Sequence, residues 1–490
     1  MHSKALGAVL ASLALVTAFP VLADGEEPGG RSHLDRTAGA RSITLHDRTF
    51  VDEGLVGSGQ LPAGTTDFLG DTLGSFSSLQ VAPGTWKRIG DHYEGVLWTL
   101  PDRGRNDPAA NLFFDYPARL ERFRIRFTPG SGQLDMQVDG GLELKDYRGR
   151  PFTGADPAGA MLSERGLQLP APKQGTGAGK VSFDAESLQF TRDGHFYIGD
   201  EYTANVYYFA PDGRLGGVIV PPASVAPRRK GKPFFGSLSA PDTGRRNNQG
   251  VEGMSLSPDG RTLFVVLQSA LIQDTAKGNA AGRRNTRVLV YDVSHSPTPS
   301  KPIAHHVVQL PVYDEAGKGG PPNRTAAQSE VRALDDHSFL MLARDGAGFG
   351  AEGGAPIVYK SVLLVDLAGA TNLAGTETEK GTASVLQDGT KPALRSDIVP
   401  AQTAELINML NPAQLARVGL TMESLSEKWE AMDLVPVLEP EHPSDYFLLV
   451  ANDNDFIARH CRMSGQSCNC DIDNDNRVLV YRLKLPAPLQ

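Results

Sequence analysis

The sequence predicts an all-β fold: a β-propeller of four-stranded antiparallel blades, with five blade openings readable and six possible, closed into a ring by N- and C-terminal strands. Short alternating apolar runs recur along the chain with Asp-Gly or Asp-Asp turns between them, the pattern of half-buried and buried strands. Gly and Pro, 53 and 34 of 490 residues, exceed average usage and supply those turns. Helical patterning is confined to a short insertion near 401–429, where Pro412 and Gly419 break it into pieces.

The elements follow in order. Residues 1–23 combine a basic start (Lys4), an apolar run from Ala5 to Leu22 and small residues Val21 and Ala23 before the cut, which reads as a cleaved signal peptide. Residues 24–40 form a flexible N-terminal segment, and 41–485 one propeller domain. The first blade opens at Ser77–Val81 and continues through Tyr93–Leu100, Glu121–Phe127 and Leu134–Val138. A second runs Asp184–Phe190, His195–Gly199, Asn205–Phe209 and Gly217–Val220, and the clearest runs Val251–Leu256, Thr262–Leu267, Arg287–Val293 and His305–Leu310. The fourth shows Glu330–Leu334, Ser338–Leu342 and Ile357–Val365. The fifth has Glu430–Val435, Asp445–Val450 and Arg477–Leu483 and lacks a fourth strand, which Ser42–Phe50 is expected to supply. Closing the ring this way removes an exposed sheet edge. Leu169–Gly179 and Pro221–Gly250 read as long surface loops.

Charge and cysteine content narrow the function. There are 48 basic and 57 acidic residues, for a net charge of −9, or −10 once the signal peptide and its single Lys are removed. That balance argues against nucleic acid as the main partner and is compatible with metal cations. No later stretch approaches the ~18 apolar residues of a membrane span, so the expected product is a periplasmic or secreted monomer acting on a small molecule. Cys461, Cys468 and Cys470 read as one disulfide and one spare thiol, with the pairing open.

In each blade a polar residue starts the first strand and a polar cluster follows the second: Asp102, Arg103 and Arg105; Glu186 with Asp200 and Glu201; Glu252 with Gln268 and Ser269; Glu330 with Arg344 and Asp345; Glu430 with Asn452, Asp453 and Asp455. Hairpin geometry returns both positions to one face, so these groups, with Asp184, are expected at one channel mouth. Glu is disfavoured in strands and serves no turn there. Asp193, Asp212, Asp259 and Asp335 are read instead as turn residues. Carboxylate and amide oxygens at adjustable distances suit calcium (Ca2+). The expected metal ligands are Asp102, Glu186, Asp200, Glu201, Glu252, Glu330, Asp345, Glu430, Asn452, Asp453 and Asp455.

The segments Asp184–Leu188, Asn247–Ser255, Gly199–Tyr202 and Ala451–Phe456, occurring in that set, resemble the bacterial phytase-like family described as "esterase-like activity of phytase". The resemblance implies a β-propeller and suggests calcium-assisted hydrolysis of phosphate or other esters. Glu201 or Glu252 would then act as base, with Arg103 and Arg344 on the substrate. Gln268-Ser269 and Ser77-Ser78 depart from the acids of the other blades. The alternatives are a non-enzymatic, calcium-stabilised propeller binding a ligand or envelope partner, and a propeller lactonase or sugar dehydrogenase. Serine-hydrolase, zincin and P-loop motifs are absent from the sequence. Gly348–Gly353 is a loop rather than a dinucleotide site, and Asp471–Asn476 lacks the Gly and Glu of an EF-hand loop.

Overall fold

The computed structural model describes residues 38–489 apart from positions 75, 279 and 352. The predicted signal peptide and most of the segment 24–40 lie outside the described residues. Two strands precede the repeats, β1 (Arg41–Leu45) and β2 (Arg48–Leu61). Sheet one holds β3 (Ser78–Val81), β4 (His92–Leu100), β5 (Arg119–Thr128) and β6 (Gln133–Glu143). Sheet two holds β7 (Ala185–Phe190), β8 (Phe196–Asp200), β9 (Val206–Phe209) and β10 (Leu215–Ile219). Sheet three holds β11 (Val251–Leu256), β12 (Thr262–Leu267), β13 (Asn285–Asp292) and β14 (Ala304–Gln309). Sheet four holds β15 (Ala327–Ala333), β16 (Ser338–Arg344), β17 (Lys360–Asp366) and β18 (Gln402–Asn408). Sheet five holds β19 (Lys428–Pro436), β20 (Asp445–Asp453) and β21 (Asn476–Lys484), with β2 as its fourth strand. Each sheet is antiparallel, and one parallel pairing, Ser58 with Gln133, stitches β2 to β6.

Apolar clusters fill the space between successive sheets. In β12, Leu263, Val265 and Leu267 face Tyr197 and Val206 of sheet two, whereas Phe264 and Val266 face Phe339 and Met341 of sheet four. Period-two alternation thus buries both faces, which is why the run reads as continuously apolar. Equivalent clusters join sheets one and two around Leu100 and Phe196, four and five around Leu342 and Trp429, and five and one around Leu449 and Leu97. The first strands touch in the same cycle: β3 with β7, β7 with β11, β11 with β15, β15 with β19, and β19 with β3.

A first strand has no further strand on its inner side, so its inward N–H groups need other acceptors. Side chains of the preceding sheet supply most of them. Leu188 N–H donates to Ser78 Oγ (3.0 Å) and Phe190 N–H to Gln80 Oε1 (2.6 Å). Leu256 N–H donates to Gln189 Oε1 (2.7 Å) and Ala333 N–H to Ser255 Oγ (2.9 Å). Val81 N–H donates to Asp433 Oδ2 (2.7 Å), carrying the pattern from sheet five back to sheet one.

Three expectations require correction. Residues 402–408 are a strand, β18, paired with β17 from Ser361↔Asn408 to Asp366↔Gln402; only Pro412–Ala416 and Met422–Ser424 are helical in the predicted insertion. The Thr403 and Ile407 side chains and the pairing of Leu406 into the core outweigh the local helical pattern. The predicted closing strand 42–50 is a hairpin rather than one strand, because His46 and Asp47 both take positive φ, 45° and 62°. The strand that pairs with β21 runs from Val51 to Leu61. The loop 221–250 is not simply surface: Arg245 is fully buried, its guanidinium donating to the Tyr202 and Gly236 carbonyls. Among the described residues the long connections carry two-stranded ribbons, such as Val312–Tyr313 with Arg324–Thr325, where a sixth blade was possible. The Asp-Gly turns hold: Asp193, Asp212 and Asp259 accept the N–H two residues on, and Gly194, Gly213 and Gly260 have φ of 86°, 80° and 77°. Asp335 does the same for His337 and Ser338. The disulfide joins Cys461 to Cys468, and Cys470 is the free thiol.

Candidate functional site

The acids are placed by a repeated irregularity. Pairing of the first and second strands skips a residue at Glu186, at Glu252, at Ser329 and at Glu430, so each is a bulge residue turned out of the ladder. Glu186, Glu252 and Glu430 line one cavity of about 280 Å³, with Glu201, Gln268, Arg344, Lys428, Asn248 and Gln249 from a loop, and Tyr313 and Thr325 from a two-stranded ribbon. Gly250 lets the 248–252 segment pass: a Cβ there would stand 2.6 Å from the Glu201 backbone. Gln268 donates to Glu252 Oε1, and Ser269 Oγ donates to Gln249 Oε1 at 2.5 Å, so the two residues that break the acidic pattern orient other cavity groups.

Asp102, just beyond β4, sits at the centre of two carboxylate groups. Its ligand oxygen lies within 4.8 Å of those of Asp184 and Glu186, and within 4.8 Å of those of Asp453 and Asp455. Arg103 Nη1 donates to Asp184 Oδ2 (2.6 Å) and Asn248 Oδ1 (2.6 Å), and its guanidinium lies over the Tyr202 ring at 5.7 Å. Arg344 is ion-paired with Glu430. Two buried carboxylate oxygens, Asp184 Oδ1 and Glu252 Oε2, have no hydrogen-bond partner. Orphaned hard oxygens beside two clusters of carboxylates form a donor set that fits calcium.

Other expected ligands are placed elsewhere. Glu330 is one residue past the bulge, so it lies a layer down the axis, accepting Ser78 Oγ–H (2.5 Å), Val331 N–H (2.9 Å) and Met254 N–H (3.3 Å). Its rim equivalent is Ser329. Asp345 is filled by Val358 N–H (2.6 Å), Tyr359 N–H (2.8 Å) and Lys360 Nζ (2.9 Å). Asp200 accepts Asp184 N–H (3.0 Å) and Thr203 N–H (2.9 Å). Asn452 accepts Arg477 N–H and lines a separate cavity with Phe349 and Trp429. Arg105 Nη1 donates to the Asn106 carbonyl, away from the acids. Lys428, Tyr313 and Thr325 were not anticipated. Lys428 alone carried a signal, a basic residue opening a first strand two positions before Glu430.

Burial dominates the electrostatics. It raises Asp102 and Asp184 each to about 7, with Asp184 raising Asp102 further and Arg103 opposing the rise at Asp184. Burial, then neighbouring carboxylates, holds Glu186 and Glu252 well above the usual carboxylate range. For Glu430 burial pushes up, but Arg344 and Lys428 outweigh it and leave it below its ordinary value. Burial works against the Lys428 ammonium, and Asp455 and Asp453 more than offset it, holding it well above the usual lysine range.

The family model "Phytase-like: Esterase-like activity of phytase" matches residues 72–456. An "Uncharacterized secreted protein" of Arthroderma benhamiae is 33% identical over 460 residues, covering 84% of this chain and 88% of that one. The PQQ-bound aldose sugar dehydrogenase of Streptomyces coelicolor shares 12% identity, covering 92% of this chain and 100% of that chain at a TM-score of 0.28. An ancestral GH74 enzyme shares 10%, covering 90% and 49% at a TM-score of 0.30. No helix among the described residues is long and apolar enough to cross a membrane.

Proposed function

The chain belongs to the phytase-like family, and from that premise we propose that it is an exported, calcium-dependent hydrolase of phosphate or other esters, built as a five-bladed propeller with its active site at the acidic mouth of the ring. The observation that carries this reading is the convergence of bulge-borne Glu186, Glu252 and Glu430 on one cavity, where Glu252 Oε2 lacks a partner and Glu186 is grouped with Asp102 and Asp184, whose Oδ1 also lacks one. The cycle of interlocked first strands supports the propeller, and the secreted relative supports export.

Asp102, Asp184 and Glu186 would hold calcium, which supplies charge neutralisation and polarisation of the ester oxygen. Glu252 is fixed through one oxygen by Gln268, lines the cavity and keeps its other oxygen unpartnered, so it would be the group to take a proton from an attacking water. Arg344 lines the same cavity and, beside Glu430, can turn a guanidinium N–H toward an anionic oxygen.

Hydrolysis of nitrophenyl phosphate and nitrophenyl acylates, measured with and without chelator, tests the reading. Turnover of either that is lost with chelator is expected; no chelator-sensitive turnover of either would sink it. One observation favours a non-enzymatic, calcium-stabilised binder instead: both arginines expected to meet substrate are already paired, Arg103 with Asp184 and Arg344 with Glu430. That reading expects a chelator-induced fall in melting temperature without hydrolysis.

A further inference from the structure

Asp102 is shared by two carboxylate groups, in each of which the ligand oxygens lie within 4.8 Å of one another, and a shared aspartate of that kind suggests two bound ions. The groups differ in one respect. Lys428 Nζ lies 2.5 Å from Asp455 Oδ1 and 3.9 Å from Asp453 Oδ2, so an ammonium already stands among the oxygens of the Asp102–Asp453–Asp455 group. In the other group Arg103 Nη1 engages Asp184 Oδ2 at 2.6 Å but leaves the buried Asp184 Oδ1 without a hydrogen-bond partner among the described residues.

We infer that the mouth binds one calcium ion, at Asp102, Asp184 and Glu186, and that the Lys428 ammonium is a built-in cation occupying the place of a second. This rests on the calcium reading above. It follows from charge and space: a divalent ion and a half-buried ammonium a few ångströms apart repel, so Lys428 must leave before Asp453 and Asp455 can take an ion. The chain would then have a single-ion site that one substitution converts to a two-ion site.

The test is metal stoichiometry on chelator-stripped protein, by isothermal titration with calcium and by terbium luminescence. Wild type is expected to bind one equivalent at the mouth, Lys428→Met two, and Asp455→Asn one. Asp102→Asn should abolish mouth binding in both the wild-type and Lys428→Met backgrounds, separating it from weak surface binding. Two equivalents in wild type, or one in a folded Lys428→Met protein, would overturn the inference and leave the calcium reading standing. Binding of none by wild type would overturn both. If Lys428→Met does not fold, Lys428→Gln takes its place, and loss of the wild-type equivalent in Asp455→Asn would also refute the assignment to Asp184 and Glu186.

Discussion

Replacing Asp433 by Leu should destabilise the protein by about 4–6 kcal/mol, because this one side chain caps the inner edge of sheet one and pairs with an arginine of sheet four. Its Oδ2 accepts Val81 N–H (2.7 Å) of sheet one and its Oδ1 accepts Arg332 Nε–H (3.1 Å) of sheet four. Leucine fills similar space and leaves both donors behind. An orphaned buried amide costs about 1–3 kcal/mol. Breaking a buried ion pair by removing one partner costs about 3–5 kcal/mol. The lower end applies here, since Arg332 keeps the Leu79, Met254 and Val331 carbonyls and has Glu330 3.9 Å away. Gln189→Met is the comparison: it orphans Leu256 N–H between two sheets that are also joined by chain connectivity, and removes no charge, so about 1–3 kcal/mol is expected. Urea midpoints at a shared m-value give both numbers. A loss below about 1 kcal/mol for Asp433→Leu would refute the claim that the inner edges are closed by side chains of the neighbouring sheet.

Chelator-stripped protein should lose stability as pH rises from about 4 to about 7. Asp102, Asp184, Asp200 and Glu330 are each raised by burial to about 7, so the folded state binds more protons than the unfolded chain across that window, and the contribution is full below the unfolded values and lost as pH passes the folded ones. Melting temperatures at pH 5 and pH 8 check this, and calcium should shrink the difference; a stripped protein more stable at pH 8 contradicts the sign. Glu252→Gln should lower kcat on whichever ester is turned over by roughly 10²–10⁴-fold with calcium binding retained; unchanged kcat removes Glu252 as base. Deleting residues 38–61 strips Phe50, Leu55 and Leu61 from two cores, each worth about 1.5–3 kcal/mol, and bares β21, so no cooperative unfolding transition should remain by circular dichroism. Thiol titration of the unfolded, unreduced chain should find one reactive group, Cys470, and three after reduction.

Much of the fold was legible because each sheet buries both faces of its strands, and continuous apolar runs punctuated by Asp-Gly turns leave few other solutions. Strand β18 was not, since Gln402–Asn408 carries Glu405 and Ala404 in a context with helical neighbours, and only pairing with β17 decides it. The glutamates of the mouth stood out as charges in strands, and Glu186, Glu252 and Glu430 do share a cavity. Glu330 misled for a physical reason. A bulge moves the rim position by one residue, and in sheet four the bulge residue is Ser329, so the acid falls inside the axis. Asp200 and Asp345 occupy the expected hairpin ends but spend their oxygens on backbone amides, a use that cannot be told from metal binding without the partners in view.

The capping of inner edges runs in one direction for most of its links: sheet one caps two, two caps three, three caps four, and five caps one. Four of the five sheets therefore carry, on their own first strands, side chains cut to fit the successor. A copied or lost sheet would bring a strand whose residues match the wrong neighbour, leaving amides bare on one side and acceptors idle on the other. The number of sheets is in this sense written into those four junctions, and an ancestral gain or loss of a sheet would have required rewriting two first strands together.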